Sequence, residues 1–273
     1  RFFASEVIMS RATYQCTALM GTNKTGSLKA DANGYYEVTL GALDFYNSAG
    51  AFYPAEPSRK MFEDSSQLQR RVRNGALRGE YGHPKLLTGM SKRDFLMRIL
   101  DINEQSVSHH ISEVWIDEDN VKDKSGKKVV AIVGRIRPSG PFGDALAKAL
   151  ENPKENVCFS VRSLTDDYVD KGGTVIKIYK EIVTWDYVNE PGISVANKFE
   201  FAALEALQSV GFDVNQLVLA KNMALSNGAS MESNTVQALE RVIKALGWTD
   251  RDERGSKRET GLMTPPAPMS QRW

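Results

Sequence analysis

The chain has 273 residues, 41% of them hydrophobic and 25% charged, the balance of an ordinary globular fold of one large domain or one domain with an appended tail. Its 35 basic and 34 acidic side chains nearly cancel, so no global field favours nucleic acid or an anionic membrane, and no apolar run reaches the roughly 18 residues that span a bilayer. Two cysteines, Cys16 and Cys158, cannot build a disulfide framework, and three histidines, His83, His109 and His110, exclude a histidine-rich metal site.

No cofactor motif is present, and a reducing cytosol is the natural setting. The opening Arg1-Phe2-Phe3-Ala4 is too short for a signal peptide, and the absent initiator Met points to a processed N-terminus. Gly21–Ser27 approaches a phosphate loop but lacks the lysine after the second glycine, so it reads as a turn. Tyr36–Leu40 reads as a strand and Asn47–Gly50 as a turn. Phe62–Arg78 is polar, and its arginines at 70, 71, 73 and 78 describe a helix or exposed connection with a solvated face, or a contact for an acidic partner. Gly82 and Pro84 then break any helix around His83. Ile111–Ile116 and Val129–Ile136 read as strands, and Gly143–Leu150 as a short helix closed by Asn152-Pro153. Val157–Leu164 and Val175–Val188 are strands that Lys171-Gly172-Gly173 joins as a hairpin. Phe199–Val210 has helical spacing with Gly211 as its stop, and 212–231 reads as irregular. Val236–Leu246 is an amphipathic helix with Asn234 as candidate N-cap, and Pro265-Pro266-Ala267-Pro268 closes a disordered tail. The order of elements predicts α+β: a mainly antiparallel sheet or barrel, then packing helices.

Chemistry can sit at few places. Strand alternation puts Cys158, Ser160 and Arg162 on one face, opposite Phe159 and Val161. A solvated sheet face explains the same alternation. If Gly172, Gly173 and Thr174 form a three-residue loop, facing residue numbers add to 346, which sets Ser160 opposite Asp186; a two-residue turn sets Trp185 there instead. A serine hydroxyl needs a base to take its proton and a third group to hold that base, roles that Ser160, His83 and Asp186 can fill. His83 also fits a surface-loop histidine, and His109 and His110 open a strand, where core or surface roles suit them. Cys158 is the rival nucleophile, although a buried structural cysteine is the commoner use.

Taken in order, Gly79-Glu80-Tyr81-Gly82-His83-Pro84, Phe159-Ser160-Val161-Arg162-Ser163 and Trp185-Asp186-Tyr187-Val188-Asn189-Glu190-Pro191 resemble the histidine, serine and closing segments of the prohead proteases of tailed phages, over roughly residues 75–197. The resemblance implies a serine endopeptidase with an assemblin-like fold, a β-barrel ringed by helices, and with His83, Ser160 and Asp186 as its triad. Asp186 stands where herpesvirus assemblins use a second histidine, and Ser163 stands where relatives often carry glycine. From the order of elements and the composition, residues 1–211 are expected to form the protease domain, 212–249 a helical extension and 250–273 a tail. Arg162, or Gly192 and Ile193, would serve the oxyanion or bind substrate. Scaffold and head proteins would be cleaved in the host cytoplasm, inside the assembling prohead, together with the protease itself, and neither nucleic acid nor membrane is required; a homo-oligomer is compatible with this. Cleavage after glutamate, if it carries over, would use Arg162 and Arg135 for the substrate carboxylate and Ala4-Ser5-Glu6 as a self-processing site. The alternative is a non-catalytic scaffold or core protein of the capsid that keeps the fold.

Overall fold

The structure is a computed structural model that describes residues 11–15, 21–22, 28–47, 49–122, 126–188, 196–197 and 209–248. The strands are β1 (Arg11–Gln15), β2 (Gly21–Thr22), β3 (Tyr36–Leu43), β4 (Phe45–Tyr46), β5 (Phe52–Tyr53), β6 (Arg78–Glu80), β7 (Val107–Asp117), β8 (Val130–Pro138), β9 (Cys158–Val169), β10 (Val175–Val188), β11 (Ala196–Asn197) and β12 (Ser209–Asp213). The helices are α1 (Ala55–Ser58), α2 (Gln67–Arg73), α3 (Lys92–Leu100), α4 (Gly143–Glu151), α5 (Val214–Ser226) and α6 (Asn234–Ala245). This is a mixed α+β fold.

Its strands form two sheets. One runs β12-β1-β9-β10-β5-β4, with β11 paired to β9 and β2; the other runs β3-β8-β7-β6. Among the described residues neither closes on itself, so the expected barrel is not found there. The sheets instead share one apolar core, in which Leu40, Ile111 and Ile132 meet Phe159, Val161 and Trp185. A second core lies where β1 and β12 meet α3, α5 and α6, with Tyr14 and Phe212 against Leu96, Leu217 and Leu239. The helices beyond residue 211 therefore pack against a strand from the start of the chain.

Local chemistry explains most elements. The β-branched runs of β7, β8 and β10 favour extended backbone that is buried on at least one face. Ser91 caps α3, and Phe95, Leu96, Ile99 and Leu100 give that helix its buried face. A capping box between Asp213 and Gln216 starts α5, so the irregular stretch expected over 212–231 is largely a helix. Ser233, not Asn234, accepts the cap bond of α6. The expected helix stop at Gly211 is corrected too: Ser209–Asp213 is a strand paired with β1, while 199–208 lies outside the described residues. No described helix is long and apolar enough to cross a membrane.

Candidate active site

The hairpin of β9 and β10 sets the first geometry. Its loop spans five residues rather than three: Val169 faces Val175, and Asp170 Oδ1 accepts hydrogen bonds from the amides of Gly172 and Thr174. Facing numbers therefore add to 344 beside the turn, not 346. Two irregularities in β10, between Tyr179 and Glu181 and between Ile182 and Thr184, each advance the register by one. Two such shifts restore the facing parity, and Ser160 stands opposite Asp186 after all. The pairing expected from the sequence is present, reached through bulges and not through the turn.

The second geometry comes from β6. It pairs with β7 in the smaller sheet, yet its next residues cross to the larger one: Tyr81 bridges Tyr187 in parallel, and the amide of Gly82 donates to Tyr187 O at 2.7 Å. Gly82 has φ of +77°, a left-handed conformation that a side chain would resist, and His83 follows it onto Asp186. His83 Nδ1 lies 2.8 Å from Asp186 Oδ2. An ionised carboxylate can only accept, so Nδ1 carries a proton, and in the neutral ring Nε2 holds the lone pair. His83 Nε2 and Ser160 Oγ are both buried and have no hydrogen-bond partner among the described residues. The expected solvated face of β9 is thus corrected: Ser160, Arg162 and Asp186 all have zero exposure.

Asp186 accepts from four donors. Besides His83 these are the amide of Glu80 at 3.0 Å, Arg162 Nε at 2.9 Å on Oδ2, and Arg162 Nη2 at 2.7 Å on Oδ1. Burial alone would push this carboxyl up, but the charge of Arg162, then the hydrogen bond and charge of His83, hold it well below the usual carboxylate range. Arg162 itself is burdened by desolvation, which Asp186 and Glu80 more than offset, so its cation is held. Its remaining contacts are Nη2 to Glu80 Oε1 at 3.0 Å and Nη1 to the carbonyl of Asp101 at 3.0 Å. The guanidinium therefore faces carboxylates and a carbonyl from this chain. Arg135 lies elsewhere, on β8, paired with Glu113 and Glu37. Gly192, Ile193 and Ala4-Ser5-Glu6 lie outside the described residues.

The other histidines take structural places. His109 is fully buried, with Nδ1 2.9 Å from Ser108 Oγ and its ring edge-on to Phe159. Burial pushes its pKa down to about 4, partly opposed by the charge of Asp186. His110 meets the Tyr35 hydroxyl at 3.0 Å. Cys158 is buried two residues from Ser160, with Asn156 Nδ2 at 3.3 Å from its sulfur. Sequence reading quotes Gly79 and Glu80 as members of a motif and gives neither a role. Both stand in the histidine-bearing segment, where a glutamate three residues before the histidine was the available signal. Among the described residues no group of three His, Cys, Asp or Glu side chains could hold a metal ion.

Comparison with known proteins places these residues in context. The family model described as the Peptidase S80 family matches residues 14–246. The capsid maturation protease of Pseudomonas phage phiKZ is 36% identical over 239 residues, which cover 84% of this chain and 86% of that protein. Among solved structures, the capsid assembly protease of bacteriophage T4 aligns with a TM-score of 0.46 at 16% identity, over 65% of this chain and 98% of that one.

Proposed function

The chain belongs to the Peptidase S80 family and is kin to a phage capsid maturation protease, and from that premise we propose that it is a serine endopeptidase that acts on capsid proteins through Ser160, His83 and Asp186. The observation that carries this reading is the His83–Asp186 contact of 2.8 Å on the carboxylate that faces Ser160 across the strand pair. His83 Nε2 takes the Ser160 proton as Oγ attacks a peptide carbonyl carbon, and the resulting tetrahedral intermediate collapses as His83 returns that proton to the leaving amine. Water then repeats the sequence on the acyl-enzyme and regenerates the serine. Asp186 stays ionised throughout, because its carboxyl is held so low, and keeps the Nδ1–H tautomer of the ring.

On this reading the substrates are scaffold and head proteins, and the protease itself, inside the assembling prohead. The assemblin-like arrangement of helices around a sheet core belongs to the same reading. Ser160 and Asp186 are closed off from solvent, and only 4% of the His83 side chain is accessible. Substrate entry has to uncover them, so reaction rates contain that opening as well as the chemistry.

A fluorophosphonate probe tests the reading. The wild-type chain is expected to be labelled at Ser160, Ser160→Ala not at all, and His83→Ala slower by about 10²–10⁴-fold, the usual contribution of a general base. Labelling of Ser160→Ala at the wild-type rate would overturn it.

A further inference from the structure

We infer that Glu80, Arg162 and Arg98 form a buried ladder of alternating charge that positions Asp186 and sets how much of its charge reaches His83; Arg162 and Glu80 are thus positioning residues. The inference rests on the triad reading above. Glu80 is 1% exposed, and its carboxylate is fully engaged. It forms an ion pair with Arg162 Nη2 at 3.0 Å and accepts hydrogen bonds from Arg98 Nη1 at 3.0 Å, from Arg98 Nη2 and from the amide of Asn103 at 2.8 Å. A carboxylate this buried would be strongly unfavourable without such partners.

Glu80 holds Asp186 from two directions. Its amide donates directly to Asp186 Oδ1, and its carboxylate steers the arginine that forks onto both Asp186 oxygens. Glu80 also lies three residues before His83, on the segment that crosses between the sheets. The ladder therefore ties the base-bearing segment to the serine-bearing strand. Arg98, with 28% of its side chain exposed, ends the ladder near solvent.

The charges are balanced two against two. Arg162 divides its positive charge between Asp186 and Glu80, and Glu80 divides its negative charge between Arg162 and Arg98. The imidazolium that forms during proton transfer shares Asp186 Oδ2 with Arg162 Nε, so each charge in the ladder acts on it. Other groups nearby add little that varies. His109 of β7 faces this region as a neutral ring, Tyr14 of β1 places its hydroxyl 3.5 Å from Pro84 O, and Asp101 touches Arg162 through its carbonyl.

The test is the pH dependence of fluorophosphonate labelling of the full chain, read as the midpoint of its rise with pH. Glu80→Gln removes a negative charge, disfavours imidazolium, and should move the midpoint down by about half to one pH unit; Arg162→Met should move it up by about one unit. Arg98→Met, at the half-exposed end, should move it up by less, and this keeps the test open if Arg162→Met does not fold. Arg162→Lys retains the charge without the fork, so it should keep the midpoint while the plateau rate falls about tenfold or more. A purely structural network would change rate or stability and leave every midpoint together. Coincident midpoints in Glu80→Gln, Arg98→Met and the wild type overturn the ladder, while labelling that persists in Ser160→Ala overturns the triad itself.

Discussion

Gly79→Ala puts the crossing of β6 between the sheets to a quantitative test. A Cβ at position 79 would lie 2.1 Å from the Trp185 carbonyl oxygen, 2.3 Å from His109 Cε1 and 2.4 Å from His109 Nε2. Normal contact begins near 3.5 Å, so the strand has to retreat by about 1 Å. Nothing on the other side can yield easily. The carbonyl belongs to the backbone of β10 beside Asp186, and the His109 ring is fully buried between Ser108 and Phe159.

The retreat would stretch the Glu80 amide bond to Asp186 from 3.0 Å to about 4 Å, beyond hydrogen-bonding range. Overpacking costs about 1–3 kcal/mol and a lost bond to a carboxylate about 1.5–3 kcal/mol, so the total is about 2.5–6 kcal/mol. For a chain of this size that is a fall in Tm of about 10 °C. A displacement of about 1 Å at the base should slow labelling of the folded protein by about 10²-fold. Thermal unfolding and probe labelling measure the two effects separately. Adding His109→Ala clears the ring but not the carbonyl, so the double variant should stay slow. Gly211→Ala is the control, since nothing lies within 4 Å of its Cβ direction in β12. Wild-type Tm and labelling in Gly79→Ala would refute the tight crossing and with it the positioning of His83.

Cys158→Ala should keep labelling within about twofold, as expected of a buried packing residue, whereas Ser160→Ala abolishes it; the reverse result would make the cysteine the nucleophile. His109 contributes a pH dependence of stability. Its pKa falls from 6.5 to about 4 on folding, so the native state binds fewer protons; stability is full above about pH 6.5 and declines by roughly 3 kcal/mol as pH drops to 4. Urea unfolding across that window should show the decline in wild type and a flatter profile in His109→Gln, and equal slopes would refute it. Asp186, a carboxyl held low, loses its contribution only in the next window down, as pH falls below the ordinary 3.8.

The central strands were legible because their sequences leave little choice. Val107–Asp117, Val130–Pro138 and Val175–Val188 are rich in β-branched and aromatic residues, with turn formers between them. Helix α5 was not legible for the converse reason. Its buried residues Leu217, Ala220, Lys221 and Ala224 include a lysine and two alanines, and Leu219 is exposed, so no clean stripe marks its face. Gly211 misled as a helix stop because it sits inside β12, opposite Thr13, where a glycine has no conformational task.

The active-site geometry was legible in its members and hidden in its burial. Alternation places Ser160 and Arg162 on one face whether that face is wet or dry, and the turn length fixes a register only when the strands run without bulges. Here two bulges in β10 compensate a longer loop, which no local pattern announces. Arginine on a strand reads as a surface residue because a buried guanidinium is unfavourable unless carboxylates meet it. One of those carboxylates comes from Asp186, 24 residues away in the chain, and the other from Glu80, which is 106 residues from Asp186 and begins in the other sheet. A charge that looks solvated in one dimension is thus neutralised in three. The same reasoning makes Glu80 and Arg162 interdependent: removing either takes from the other one of its two buried counterions, so their single and double substitutions should be non-additive.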